Sequence, residues 1–587
     1  MNFKLRLLAL LLVVMMAFTS CSLDTIMQYI PGFGAGVEQT TTSTTTSTTP
    51  TTTKPTTTTG VKPNPPVDDV TEFDVTKNSL SYDELLARYD LTQEYVDAAL
   101  DTLEHMVEVS KVATDVDEVN EVYDEFETAY YHIVQQMTIS MILYYYNMVD
   151  EVSSERYLNT TDIYYSVQDE YNLACKAMLD SPIADQIFDG WSEEELEALK
   201  EYDPAVSELK KEIDKLQVQY DQLLQTDPEY DDKCVDIYKQ LVIKNNELAR
   251  MNGYENYYDY ATVNVYGRDY KREDLELFRQ YVVEYVVPSC GKVMSDATAY
   301  KNWTSETKKA RVDEFNDKPF YSNAKRNYLI PYLESLTGTM GESMRDVFES
   351  RNCLFSYSGT SHGTAFQTYL YEDDTPFCFF GSSGQDACTV VHEIGHYYAA
   401  KVNPELDNYD LCETHSQGNE FLFLTYCQDS LNEDVFKTVR ATQLKSACYV
   451  MILATVIDEF EQTVYLLDDE TIEGMTGRDF DAIMSKVCEP YGGKSWVEGS
   501  FYDPCAYWRL VCISNPVYYI SYAVSATAAV NILALAEEDY DAAVEAYTIL
   551  VEGVTYEDGF LGALQKAGLT TPFEEETFIK IGEVFSK

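Results

Sequence analysis

Five residues constrain this chain more than any other stretch: His392-Glu393-Ile394-Gly395-His396. The apolar pair Val390-Val391 precedes them and Tyr397-Tyr398-Ala399-Ala400 follows, the setting of a buried helix. In a helix, positions four apart share a face, so both imidazoles can ligate one zinc ion. Glu393, one residue along, can then accept the proton of a water that the ion polarises. Histidine is scarce, at 6 of 587 residues, and the pattern would arise by chance in such a chain about once in two hundred. Asp386 is placed to cap the start of this helix. A catalytic zinc needs a third protein ligand and an open position. Glu405, Asp407, Asp410, Glu413, His415 and Glu420 all lie shortly downstream, and spacing alone does not choose among them. Glu413 and Glu420 lie seven apart, two turns along one helical face, so one can ligate while the other orients a ligand.

A helix needs a fold around it, and the pattern on either side is helical. Between about Leu80 and Gln225 apolar residues recur at three and four, as in Leu100, Leu103, Met106 and Val107, and again in Leu209, Ile213, Leu216 and Tyr220. The period changes only near 360–380, where Thr364–Tyr371 and Pro376–Phe380 read as two short strands around Asp373-Asp374. The 48 tyrosines, including Tyr144-Tyr145-Tyr146, suit half-buried helix contacts. The 13 cysteines form no C-x-x-C pair and read as buried thiols. With 42 basic against 99 acidic side chains the formal net charge is −57, and no basic cluster marks a nucleic-acid surface. Past the N-terminus no run of about 18 apolar residues marks a transmembrane helix.

The first seventy residues are different in kind. Lys4 and Arg6 precede an apolar run from Leu7 to Phe18, about the length of a signal-peptide core and too short to span a bilayer. It ends in Phe18-Thr19-Ser20-Cys21, which resembles the lipobox of bacterial lipoproteins, with Cys21 as the site of lipid attachment. From Thr40 to Thr59 the chain is almost wholly Thr, with Pro63, Pro65 and Pro66 just beyond. Such a stretch cannot bury enough apolar area to offset its ordering entropy, and reads as a tether. Residues 1–70 carry four basic and four acidic side chains, so the whole negative excess belongs to residues 71–587. The expected divisions are a signal peptide at 1–21, a tether at 22–70, a helical region at 71–245 and a catalytic region at 246–587.

Glu413-Thr414-His415-Ser416 and, after it, Glu420 resemble the second metal helix of the thimet oligopeptidase and oligoendopeptidase F family, which comes after an H-E-x-G-H helix. Leu248-Ala249-Arg250-Met251-Asn252-Gly253-Tyr254, Gly363-Thr364-Ala365-Phe366, Phe460-Glu461 and Tyr491-Gly492-Gly493 resemble further family segments in the same order. The resemblance covers about 245–570. It implies a mainly α, large helical zinc-peptidase fold, with two lobes around a deep channel and a small β-hairpin or sheet beside the active-site helix. It also implies one zinc per chain on His392, His396 and Glu413, Glu393 as general base and Glu420 supporting the ligands. Gly363, Thr364, Ala365 and Phe366 would open an edge strand that pairs with the backbone of a bound peptide, a form of strand addition that tolerates many sequences.

Pro516-Val517-Tyr518-Tyr519-Ile520-Ser521-Tyr522-Ala523 resembles the family's tyrosine segment. Tyr519 and Tyr522 match best, with Tyr518 a rival for the first, and a phenolic O–H can stabilise the oxyanion of an attacked carbonyl. The family histidine that usually precedes this segment is missing, and Val511 or Cys512 stands in its place. The expectation is a zinc endopeptidase of oligopeptides, monomeric, exported and tied to the outer face of a bacterial membrane only through its lipid. Two alternatives remain: a surface peptide-binding lipoprotein whose turnover is weakened or lost, and a zinc carboxypeptidase.

Overall fold

The computed structural model describes residues 75–587 apart from 192–195, 198, 201, 227–229, 316–324, 364, 405, 407, 493–507 and 514. The signal segment, the tether and Cys21 lie outside the described residues, as do Thr364, Glu405, Asp407 and Gly493. The described chain is mainly α-helical with one small sheet.

Three long helices open it: α1 (Gln93–Ser110), α2 (Asp117–Tyr146) and α3 (Glu151–Met178). The three-and-four spacing of α1 puts Val96, Ala99, Leu103 and Met106 on one buried face. They share a core with Tyr123, Phe126, Tyr130, Tyr164 and Tyr171. A tyrosine buried this deeply needs a partner for its hydroxyl, and Tyr130 finds one by donating to Gln168 Oε1 at 2.6 Å. In the run Tyr144-Tyr145-Tyr146 the first is fully buried and the other two are half-buried.

Helices α4 (Ala205–Thr226) and α5 (Tyr230–Met251) pack on each other. Leu209, Ile213, Leu216 and Tyr220 of α4 enter a second, larger core that runs to the C-terminus. At its centre are α6 (Ala387–Val402), α7 (Tyr409–Tyr426), α8 (Glu433–Tyr465), α9 (Ile520–Glu538) and α10 (Tyr540–Glu552). Among the described residues α9 is the one helix long and apolar enough to cross a bilayer, and its most apolar stretch is 83% buried inside the protein. A helix apolar on every side is the expected centre of a large core, and α9 packs against α7, α8 and α10.

The sheet has the order β1-β3-β2. β2 (Ala365–Leu370) and β3 (Thr375–Phe380) form the expected antiparallel hairpin, with Ala365 opposite Phe380. Asp374 takes a left-handed φ of 48° in its turn, a conformation that aspartate tolerates better than most residues. Gln135 Oε1 of α2 accepts from the turn amides of Glu372 and Asp373 at 3.0 and 3.1 Å, joining the first helices to the hairpin. The third strand, β1 (Cys353–Phe355), was not expected. It pairs parallel to β3, and its three residues are all buried, leaving no alternation to read. β2 is left as an edge strand.

The eleven described cysteines are free thiols, ten of them buried, as the scattered spacing led us to expect.

Candidate metal centre

The motif helix α6 begins where the sequence placed its cap. Asp386 Oδ1 accepts from the amides of Cys388 and Thr389 at 3.0 and 3.1 Å, satisfying donors that a helix start leaves open. Helix α7 lies directly against α6. The contact is made possible by Gly395, where a Cβ would meet His415 O and Ser416 Cα at 2.9 Å each. Gly418 plays the same part on the other side of α7, where a Cβ would fall 2.9 Å from Ile532 Cδ1 of α9. Asn419 Nδ2 donates to Val391 O at 2.8 Å, and Tyr332 Oη donates to Asn419 Oδ1 at 2.6 Å, pinning the two helices in register.

That packing brings His392, His396 and Glu413 together. One donor atom from each lies within 4.8 Å of the others, all three residues are buried, and among the described residues no other such group of three forms. Glu413 Oε2 stands 3.5 Å from His392 Nε2 and 3.8 Å from His396 Nε2. Both Nε2 atoms are buried without a hydrogen-bond partner. Buried polar atoms are seldom left so, and two imidazole nitrogens and a carboxylate oxygen facing one point fit a zinc ion. His392 Nδ1 lies 2.7 Å from Glu420 Oε1, which fixes the ring and turns Nε2 toward the centre.

The charges divide accordingly. Burial pushes the pKa of His396 well down, helped by the neighbouring His392 and His415, which favours the neutral ring that ligation requires. At His392 the lowering effect of burial is outweighed by the carboxylates of Glu413 and Glu420, which hold the ring's pKa well up, so a metal ion bound there would take the place of the Nε2 proton. Glu393, next along α6, is completely buried.

Two of the rival third ligands turn elsewhere. His415 Nε2 is 2.9 Å from Leu550 O of α10, and burial holds its pKa down to about 4. Asp410 is buried beside Arg268, 3.9 Å from its Nε. Glu405 and Asp407 are outside the described residues.

The tyrosine segment meets the centre through the residue that the sequence left as a rival. Tyr518 Oη donates to Glu413 Oε1 at 2.5 Å, and Tyr522 hydrogen-bonds the Tyr518 hydroxyl in turn. Tyr519 packs beside Tyr522 at a ring distance of 5.8 Å. Ser416 Oγ shares its proton between Glu413 O at 3.0 Å and the other carboxylate oxygen, Glu413 Oε2, at 3.2 Å. Ser416 belongs to the motif that carried the resemblance, but nothing in the motif pointed to its contact with Glu413.

Strand β2 reaches the same place. Its Gln367 lines a cleft together with His396, Ala399, Leu406, Glu413 and Tyr518. Gly363 O accepts from Ser383 N at 3.1 Å, and Phe366 packs its ring on Tyr145 and Phe379, at 5.5 and 5.1 Å. The Phe366 side chain therefore belongs to the core. Val511 and Cys512, at the position of the missing histidine, are buried, with Cys512 fully inaccessible.

No family model matches the sequence, and no curated protein matches it in sequence. Solved structures do match in fold. PZ peptidase A, determined with an inhibitor, aligns over 85% of this chain and 97% of its own, with a TM-score of 0.66 and 18% identity. A protein described as an oligoendopeptidase F aligns over 86% and 98%, with a TM-score of 0.68 and 17% identity. Another so described, from Bacillus anthracis, aligns over 84% and 95%, with a TM-score of 0.62 and 18% identity. The chain has the helical fold of these peptidases, as the resemblance implied.

Proposed function

We propose that this chain is a zinc-dependent endopeptidase acting on oligopeptides, exported as a monomer and held at the cell surface by a lipid on Cys21. The observation that carries the reading is the convergence of two buried, unpartnered imidazole nitrogens and one carboxylate beside the buried Glu393. The solved structures of the same fold bear the names of peptidases, which agrees with it. Export and anchoring rest on Lys4, Arg6, the apolar run to Phe18 and Cys21.

Zinc held by His392, His396 and Glu413 would supply a Lewis acid that acidifies water and polarises the scissile carbonyl. Glu393 takes the proton of the attacking water and passes it to the departing amine. Glu420 keeps His392 in the tautomer that presents Nε2. Tyr519 offers a neutral O–H donor to the carbonyl oxygen as charge builds on it, and Tyr522 does so once its bond to the Tyr518 hydroxyl opens. The edge of β2 aligns the peptide through main-chain bonds, and Gln367 places that edge on the metal-side cleft.

The second reading, a peptide-binding lipoprotein with little turnover, draws on one feature: buried Val511 and Cys512 give the substrate no polar group where the resemblance expects histidine. The test is to incubate the purified mature chain with mixed short peptides and track the fragments by mass spectrometry, with zinc measured on the same sample. Internal cuts that vanish with chelator and in Glu393→Gln support the endopeptidase. One zinc per chain with no cut at all supports the binder.

A further inference from the structure

We propose that Arg268, together with Tyr266 and Glu461, is a clamp that positions Tyr518 against Glu413, and that this contact sets how firmly Glu413 holds a metal ion. The proposal rests on the reading of Glu413 as a zinc ligand.

The segment Pro516–Tyr518 has no regular structure of its own, yet its main chain is bound almost atom by atom from distant parts of the fold. Arg268 Nη2 donates to Val517 O at 2.8 Å, to Tyr518 O at 3.3 Å and to Ser521 Oγ at 3.0 Å. Tyr266 Oη donates to Pro516 O at 2.6 Å. Glu461 Oε1 of α8 accepts from Val517 N at 2.9 Å. Held in this way, Val517 sits at φ 65°, a left-handed conformation that a β-branched residue adopts only under constraint from its surroundings. One residue later Tyr518 is delivered to Glu413.

The cost of the clamp argues that it has a use beyond filling space. Arg268 is wholly buried, its Nε and Nη1 lack hydrogen-bond partners, and its nearest carboxylate, Asp410, is 3.9 Å away. Its guanidinium stacks over Tyr266 at 4.6 Å. An apolar side chain would serve the core as well at less desolvation cost. What an apolar side chain lacks is a donor, and Arg268 directs its Nη2 to the tyrosine segment. The end point is asymmetric: Tyr518 occupies Glu413 Oε1, while Oε2 faces the two imidazoles. Tyr518 thereby holds Oε1 away from the ion and, together with Ser416 on Oε2, stops the carboxylate from rotating. A residue that orients a ligand in this manner changes metal affinity or activity by about 10- to 100-fold when removed.

The test uses the full mature chain and the variants Arg268→Lys, Tyr518→Phe, their double mutant and Tyr266→Phe. Zinc affinity is read by competition with a chromophoric chelator, alongside kcat and KM on a peptide that the wild type cleaves. Arg268→Lys and Tyr518→Phe should each weaken zinc binding by about tenfold or more. The double mutant should be no weaker than the worse single, because both break one chain of contacts. kcat should fall with KM unchanged. Multiplying effects in the double mutant, or an Arg268→Lys protein that melts earlier but binds zinc as tightly as wild type, would overturn the clamp. If Arg268→Lys does not fold, Tyr266→Phe removes a single donor and should move zinc affinity in the same direction by about threefold; no movement overturns the proposal. A wild type that binds zinc but cuts nothing would refute the endopeptidase and leave the zinc-affinity test of the clamp intact. A wild type that binds no zinc would refute both.

Discussion

The two regions that meet at Glu413 are built on opposite plans. Helices α6 and α7 present their ligands from regular backbone, touching at Gly395 and pinned by Asn419. The tyrosine segment comes to the same carboxylate from irregular backbone, with Val517 in a strained conformation and Arg268, Tyr266 and Glu461 anchoring it from elsewhere in the chain. The first plan places donors by helical repeat and needs few outside contacts. The second places one hydroxyl by tertiary contacts and has no independent stability. The helices should therefore tolerate loss of the loop, while the loop should not survive loss of its anchors.

The sharpest division is between chemistry and scaffold. Glu393→Gln should lower peptide hydrolysis by at least about a thousandfold while leaving about one zinc per chain, measured by metal analysis and turnover on one sample. Glu420→Gln should come next, weakening zinc binding by about 10- to 100-fold, since an amide holds the His392 ring less firmly; competition titration would show it, and unchanged affinity would mean that α6 alone orients the ring. Gly395→Ala strikes the contact between the two helices. Its Cβ meets backbone that cannot step aside, and a loss of about 1–3 kcal/mol in stability, seen as an earlier melting midpoint, should come with weaker zinc binding.

Acid should act on the same helices more gradually. His415 has its pKa held down to about 4 in the fold, chiefly by burial, while in the unfolded chain it titrates near 6.5. Above that range both states are neutral there. As pH falls from about 6.5 to 4 the unfolded state takes up a proton that the folded state refuses, so stability is lost by up to about 1.4 kcal/mol per pH unit. Urea midpoints across that window should fall less steeply in His415→Gln. The smallest effect belongs to a conservative change at an anchor of the loop. Glu461→Gln keeps an acceptor for Val517 N and should change activity by less than about twofold, whereas Glu461→Leu removes the acceptor and should behave as Tyr518→Phe does.

The residues that could be read in advance divide along the same line between local and distant. His392, Glu393, His396, the Asp386 cap and the helical runs of α1 and α4 depend on spacing along a few turns, and the chain displays that spacing openly. β2 and β3 were legible because their residues and turn fit a hairpin. β1 was not, since three buried residues hold no period. Glu413 stood among rivals until α7 was packed, because an acidic chain offers carboxylates at every turn and only the fold turns His415 to Leu550 and Asp410 to Arg268. Which tyrosine would touch Glu413 was undecidable from a run of neighbouring tyrosines: Tyr518 reaches it through the φ of Val517, which is imposed by residues some fifty to two hundred and fifty positions away. Arg268 lies in Tyr266-Gly267-Arg268-Asp269-Tyr270 and carries no pattern that tells a buried clamp from a surface charge.

The absence of a side chain at Gly395 has a consequence for how such a protein changes over generations. Where helices meet through side chains, each replacement at the seam resets the gap between them, and anything mounted on them drifts. Here the seam is main chain against main chain, and a peptide backbone has the same thickness whatever sequence it carries. The separation of the two ligand-bearing helices is thus referred to a fixed gauge and insulated from the identity of the surrounding core. Apolar exchanges in the surrounding core then act on the spacing of the two helices less than they would at a seam of side chains.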